Sequence, residues 1–440
     1  MNIDVKLSKK RKGYIKSYTL IFLAFATAFF PRVLSGIGAP SVINFLHFLT
    51  IPLACGFALL KPRTRSKRQI SFSKAILIGL LVLLGTMTAS ALLNSAGFIN
   101  VVLDFILLSE PFILLLAIAS IPMSPASLER FRSGVVCCGF TNLIFALIQR
   151  FVLRLQLRTG LEDNIKGVFI GQGAGHVIGA SVSMTFSIYY LITAKDRPLW
   201  FRLAIVIAAF IHVTIADAKQ VLLVFLVALL FLLFTKLKDI GQAVRYLASA
   251  IALIGLLNLA ANTVLPALKT WARAELISSD SPAFQLKLAA FHIIPSYYQS
   301  PLNWLLGLGP GHTVGRLGGW MLYEYADLLE PLGSTTHPAS KAVWTAVAAS
   351  WLGNQSSMFS PMFGWAGIWG DLGLLGLGAY LGLSFLVWHF LCKDDFCKFL
   401  LLSVFVFGLI FSQMEEPGYM LFVASIIGLR SQELIHKSLK

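Results

Sequence analysis

Four patches of this chain hold residue types that bind a phosphate or move a proton. In Leu306-Gly307-Leu308-Gly309-Pro310-Gly311-His312 the glycines make a tight turn and His312 is placed as a base or a phosphate donor; the plainer reading is a turn with a solvated histidine. Arg316, Glu324 and His337 follow it. In Ala216-Asp217-Ala218-Lys219-Gln220, Lys219 opens an apolar helix, where unpaired amides and the helix dipole favour an anion, unless the side chain only snorkels to lipid headgroups. In Gly370-Asp371-Leu372-Gly373, Asp371 lies about eight residues into an apolar run, so it either orients a cation or catalytic group or is held by hydrogen bonds near the helix start. The stretch from Lys166 to His176 puts four glycines before another apolar run, which lets amides approach a ligand or lets helices pack closely. Its spacing matches neither a P-loop nor a dinucleotide fingerprint.

Further ionisable residues sit where apolar sequence makes them costly. Arg150, Arg154 and Arg158 recur every four residues and share one face if their segment is helical; they serve an anionic ligand or pair with Glu162, Asp163 or lipid phosphates. Glu110 lies roughly 18 Å into its apolar segment at 1.5 Å per residue, and Asp104 lies in the same segment. Such carboxylates are functional candidates, or else are neutral and fix helix packing beside Pro111. His212 reads as a packing histidine.

The elements that must position these groups are membrane-like. Hydrophobic residues make up 57% of the 440 and charged ones 13%, where a soluble domain carries about 25%. Mean hydropathy is +0.77. Apolar stretches recur near 18–37, 41–60, 73–93, 99–120, 133–150, 170–193, 203–217, 218–235, 246–264, 363–391, 398–412 and 417–430, predicting an all-α polytopic bundle of about twelve spans in one integral membrane domain, 1–440. Lys and Arg concentrate in every second connection, which puts both termini on the cytoplasmic side of the membrane. The segment 265–361 then becomes one large, partly helical extracytoplasmic loop before the tenth span. Trp271, Phe284, Phe291, Trp304, Trp320 and Trp344 make it too apolar for a disordered linker, and Gln285 to Phe291 reads as an amphipathic helix carrying Lys287.

Other classes lose ground. The net charge of +16 sits in short inter-span segments rather than on an aromatic-interleaved patch, so nucleic acid is not the expected partner. None of the five cysteines falls in the long loop, which argues against a disulfide framework, and Cys392, Cys397 and His389 make a poor zinc site. No His-Glu-x-x-His pattern occurs, and Glu415 and Glu416 in the last outer hairpin are the nearest outer carboxylates; no metal or cofactor is expected. The basic start leads into the first span without a cleavage pattern.

Taken in order, the Asp217-Ala218-Lys219-Gln220 hairpin, the lysine-bearing helix, the Gly-Leu-Gly-Pro-Gly turn and the Gly-Asp-Leu-Gly-Leu-Leu-Gly run resemble the O-antigen ligase and polysaccharide polymerase superfamily over residues 166–376. The resemblance implies a metal-independent inverting transfer of a glycan from a polyprenyl diphosphate-linked oligosaccharide to a glycan or lipid-glycan acceptor at the outer face of the plasma (inner) membrane. A chain-length regulator is implied as a partner beside the membrane lipids. Lys219 and Lys287 stand where the family usually has arginines, and Asp371 where it generally has glutamate. A histidine that many members carry shortly before that acid is absent from Ser356 to Phe363, so either His312 or His337 substitutes as the base or this branch works differently. Arg316, Arg150, Arg154, Arg158, His176 and His337 become the diphosphate or glycan contacts. Two other classes fit the spans: a secondary transporter or lipid-linked oligosaccharide flippase driven by Glu110 and the 150–158 face, and a noncatalytic relative of the polymerases.

Overall fold

The computed structural model describes residues 16–60, 66–160, 162–171, 174–237, 240–263, 281–352, 364–410 and 412–438. These are mostly helical, and no strand occurs among them. Every expected apolar stretch contains a helix: α1 (Ser17–Phe29), α2 (Leu46–Leu60), α3 (Lys67–Asn94), α4 (Phe98–Ser120), α5 (Pro125–Leu147), α6 (Gly175–Thr193), α7 (Leu199–Ile215), α8 (Lys219–Phe234), α9 (Ile240–Thr263), α12 (Gly364–Phe390), α13 (Asp395–Gly408) and α14 (Pro417–Ser438). Two helices of the long loop, α10 (Pro282–Ile293) and α11 (Pro338–Ala348), pack on each other. Among the described residues, six helices are long and apolar enough to cross a membrane: Ser41–Leu60, Lys67–Asn94, Phe98–Ser120, Pro125–Val152, Gly175–Thr193 and Gly364–Phe390.

Two helices are sheathed by the rest. α4 packs against α2, α3 and α14, and α6 against α5, α7 and α14. Between apolar helices in lipid, close van der Waals contact and internal hydrogen bonds supply the association energy. Small residues make that contact possible: a Cβ on Gly139 of α5 would lie 2.4 Å from the Phe186 ring of α6, and one on Gly428 of α14 would lie 2.7 Å from Ile118 of α4. Phe29 of α1 closes one end of the core, with its ring 5.1 Å from that of Phe169 and 5.9 Å from that of Phe422. Large apolar side chains left exposed, among them Leu53 and Phe57 of α2 and Leu77 and Leu81 of α3, point away from the bundle as lipid-facing residues do.

The stretch expected to span at 363–391 is not one straight helix. Gly373 has φ 64° and ψ −163°, and the chain folds back there into two pieces, 364–372 and 374–390. Trp365 and Tyr380 consequently meet across the fold, 5.9 Å between ring centroids. In a continuous helix fifteen residues apart they would be separated by about 22 Å. The first piece is buried throughout.

Candidate active site

Breaking a helix frees backbone carbonyls, which must find donors if they stay buried. Here the glycine-rich turn provides them. The carbonyls of Gly370 and Asp371 accept from the Leu308 and Gly309 amides at 2.8 and 3.0 Å, and the Ser90 hydroxyl of α3 lies between the Asp371 and Leu306 carbonyls. The contact is backbone on backbone: a Cβ at Gly307 would fall 2.4 Å from the Asp371 carbonyl carbon, and one at Gly373 would fall 2.3 Å from that of Leu305. Glycine is required at both on steric grounds, and both have positive φ.

The Asp371 carboxylate completes the clasp. Its two oxygens accept from the backbone amides of Gly311 at 3.0 Å and Thr313 at 2.7 Å. Of the two roles open to Asp371, the hydrogen-bonded one accounts for these contacts. From Gly307 to Gly315 the turn is buried, contrary to the solvated turn that its sequence allows.

His312 is only 3% exposed, and both ring nitrogens are engaged. Nδ1 lies 2.8 Å from the Leu308 carbonyl, which fixes it as the protonated nitrogen, and Nε2 lies 2.8 Å from the Thr335 hydroxyl. Thr335 in turn accepts from the Gly97 amide at the start of α4, so the histidine ties the turn to that helix. Burial lowers its pKa to about 4. His337 stacks on His312 at 5.4 Å and accepts from the Ala339 amide with Nδ1, capping α11; its Nε2 is therefore the N–H of the neutral ring. Neither histidine offers a free acceptor nitrogen in this arrangement.

Arg316 enters a charged cluster. Its backbone amide donates to Glu415, and its guanidinium pairs with Glu416, which also binds Arg32 at 2.9 Å. Its guanidinium carbon lies 5.1 Å from the Trp320 ring centroid. Burial pulls its pKa down to about 9, and the neighbouring Arg32 adds to the shift. Glu415 is pushed up to about 8 by burial, against the opposing Arg316 amide. A Cβ on Gly315 would sit 3.2 Å from a Glu415 oxygen and 3.6 Å from an Asp371 oxygen, so the bare α-carbon separates the two acids. The Glu415 Oε1 atom is buried with no hydrogen-bond partner among the described residues. Asp104 of α4 lies close enough to both acids to feel their charge.

The lysines stand apart from that cluster. Lys287 on α10 is half-buried and donates to the Ile410 carbonyl at 3.0 Å, just past α13 and before Glu415; burial lowers its pKa to about 7. Lys219 begins α8, which packs along α13, and its amine pairs with Asp217 at 2.9 Å. Among the described residues, Asp217 is one of three non-glycine residues with positive φ.

The three arginines expected on one face are separated. Arg150 lies in a π-helical turn, Ile148–Val152; Arg154 takes the left-handed conformation at φ 51°, and Arg158 belongs to a separate short helix, Leu155–Thr159. Arg154 and Arg158 are exposed. The glycines at 167 and 175 serve close packing, since a Cβ there would strike Asn142 at 2.2 Å and the Phe169 carbonyl at 2.2 Å. Lys166 is spent on the Gly171 carbonyl at 2.5 Å. His176 is buried at the start of α6, and His212 bonds Ser183 at 2.8 Å. Trp271 and the Ser356–Phe363 stretch lie outside the described residues.

The sequence reading missed Arg32, Asn100 and Thr335. Asn100 of α4 donates to the carbonyls of Pro310 and Thr335 at 2.9 Å each, so α4 ties the turn to the later loop segment at Thr335. A lone polar residue just inside the start of an apolar helix is the only signal it leaves. No known family model matches the chain, and no curated protein matches it.

Proposed function

We propose that this chain is a polytopic glycosyltransferase of about twelve spans, with both termini cytoplasmic. In this reading it transfers a glycan from a polyprenyl diphosphate carrier to an acceptor hydroxyl at the outer face of the plasma membrane, as a polysaccharide polymerase or an O-antigen ligase does. The observation that carries the reading is the closure of the long loop, bearing Lys287 and Arg316, over the broken helix that bears Asp371. A loop serving only as a linker has no reason to bury its backbone against an intrahelical break.

The chemistry divides among the residues as follows. Lys287 and Lys219 neutralise the diphosphate as it leaves the anomeric carbon, each charge-assisted contact contributing about 1.5–3 kcal/mol. Lysine does this as a point charge, without the bidentate grip of a guanidinium. Asp371 keeps the turn in place and is a positioning residue. With both histidines engaged, the proton of the attacking hydroxyl passes to Glu415 Oε1. The oxygen–carbon bond forms on the face opposite the leaving group, and the electron pair of the broken bond departs with the diphosphate. A base with a value near 8 is well matched to this task, and its ionisation requires turnover to rise as pH rises through about 8.

The test is transfer by purified protein in lipid, supplied with a radiolabelled polyprenyl diphosphate oligosaccharide. A ladder of products lost in Lys219→Ala and Lys287→Ala supports a polymerase, and a single transfer to an added lipid or glycan acceptor supports a ligase. Normal output from both variants at normal protein level would remove the diphosphate role. The rival carrier reading draws on α4, where Glu110 pairs with His47 at 2.7 Å and keeps a buried oxygen without a partner among the described residues. It requires Glu110→Gln to abolish substrate movement while the loop cations are dispensable.

A further inference from the structure

The segment that follows α5 exposes large apolar side chains and arginines together. Phe151, Val152, Leu153 and Leu157 are 61%, 71%, 42% and 72% exposed, and Arg154 and Arg158 are exposed beside them. So dense a group of uncovered apolar side chains marks an interaction surface. The segment is also firmly held. Arg154 at φ 51° turns the chain out of the helix axis, and Gly160 at φ 72° ends the short helix Leu155–Thr159. At the base of the excursion the buried Gln149 side chain accepts from the Lys166 and Gly167 amides at 2.8 Å each and donates to the Gly167 carbonyl at 2.8 Å. Both ends of 150–165 are thereby fixed, so the exposed face is presented by a built element.

Depth and charge say what covers this face. The apolar helix Pro125–Val152 is long enough to cross a membrane. Beyond Arg132, the last charge near its start, roughly 20 residues reach Val152, about 30 Å at helical rise and the thickness of a hydrocarbon core. Ile144 and Ile148, exposed at 50% and 39%, share a helix face that continues into Phe151, so the uncovered surface is continuous with the lipid-facing side of α5. The short helix then leaves the span at the level of the headgroups. Residues 150–160 carry three arginines and no acid, Glu162 and Asp163 coming only in the turn beyond. Guanidinium groups flanked by apolar side chains at that depth suit lipid phosphates, with the apolar side chains in the acyl boundary. We propose that 150–160 is an interfacial anchor that binds anionic phospholipid, with Phe151, Val152, Leu153 and Leu157 immersed beside the headgroups and Arg154 and Arg158 on their phosphates. This assignment is independent of the glycosyltransferase reading. It gives the arginines a bulk-lipid partner in place of the diphosphate expected from their spacing.

The test has to be local, because basic residues elsewhere in the chain also attract anionic lipid. The full chain, with the photoreactive residue p-benzoylphenylalanine in place of Leu157, is cross-linked in nanodiscs of equal parts phosphatidylglycerol and phosphatidylcholine, and the adducts are identified by mass spectrometry. Lipid adducts enriched at least about threefold in phosphatidylglycerol are expected, since each basic residue near an anionic surface strengthens the attraction roughly fivefold. Arg154→Asn, which keeps a residue tolerant of the left-handed backbone, combined with Arg158→Gln should bring the two lipids to parity while the total yield of lipid adduct persists. Salt at about 1 M, where the screening length is about 3 Å, should do the same to the chain that keeps both arginines, so the outcome does not depend on the variant folding. Absence of lipid adducts, or parity with both arginines present at low salt, overturns the assignment, as does enrichment that survives salt or the substitutions. Replacement of the phosphatidylglycerol adduct by a minor share of added polyprenyl diphosphate would give this face to the carrier lipid and overturns it equally.

Discussion

α4 and α12 begin from similar sequence and end differently. Each is an apolar run long enough to cross a membrane, each carries an acid in its interior, and each has a helix-weakening residue close behind it: Glu110 then Pro111, Asp371 then Gly373. α4 stays helical across its proline, whereas α12 folds back at its glycine. Intrinsic propensity would suggest the reverse, since an interior proline costs about 3 kcal/mol and a glycine about 1. What differs is the surroundings. The freed carbonyls at 370 and 371 are met by the amides of 308 and 309, while Glu110 pairs with His47 of α2. A break is therefore a property of the element that caps it as much as of the residue where it occurs.

The largest effect that bears on this contrast should come from the two weak points themselves. Gly373→Ala forces a side chain into the Leu305 backbone at a disallowed dihedral and should cost more than about 3 kcal/mol, measured as loss of folded protein after detergent extraction. Pro111→Ala should be neutral or stabilising by the same measure. Equal losses in the two variants would show that the break is not what holds the fold.

The acids come next. Asp371→Asn places an amide against the Gly311 or Thr313 amide, and should cost about 1.5–3 kcal/mol and most of the transfer activity. Glu110→Gln keeps an oxygen for His47 and should leave transfer near normal. Transfer that survives Asp371→Asn but not Glu110→Gln would move the working site to α4.

A pH dependence separates the cation from the clasp. Lys287 has a folded value of about 7, below the usual lysine range, so it is charged below 7 and neutral above. A bound diphosphate favours the charged form, and donor affinity should fall as pH rises past about 7. Lys287→Arg, whose guanidinium stays charged, should flatten that limb. The sign for stability is opposite: the lowered value means folded-state stability is lost as pH falls from the unfolded lysine range toward 7, and Lys287→Met should remove that loss.

The smallest effect concerns the tie from the turn to α4. Thr335→Val leaves the Gly97 amide and His312 Nε2 without their shared hydroxyl and should cost about 1–2 kcal/mol, read as a lowered thermal midpoint with the pH profile of transfer unmoved. A displaced profile would return His312 to the list of proton acceptors.

The helices were legible because apolar runs of membrane length leave few alternatives to helix, and the positions of Lys219, Lys287 and Asp371 followed from those boundaries. The break was not. Gly373 lies among Gly364, Gly367, Gly370 and Gly376, and a glycine's sign of φ is decided by its neighbours in space. The same holds for Arg154, whose left-handed backbone splits a regular four-residue spacing that read as one face. The burial of His312 was not legible because the acceptors that bury its turn lie at 370 and 371, and Glu416 gave no sign of Arg32, its partner 384 positions earlier.

The clasp also sets an order of events during synthesis. The turn at 306–311 leaves the ribosome before the half-helix at 364–372 that it will cap, and its amides have no acceptors until residue 371 has been made and inserted. Ser90, Gly97 and Asn100 are by then already in the membrane and waiting. The long loop thus cannot reach its final form while it is the newest part of the chain, and a ribosome stalled anywhere between 312 and 371 would leave a tryptophan-rich segment open to chaperones and proteases. The Lys287 amine and the Arg316 amide wait longer still, for the Ile410 carbonyl and for Glu415, both of which are made after α12.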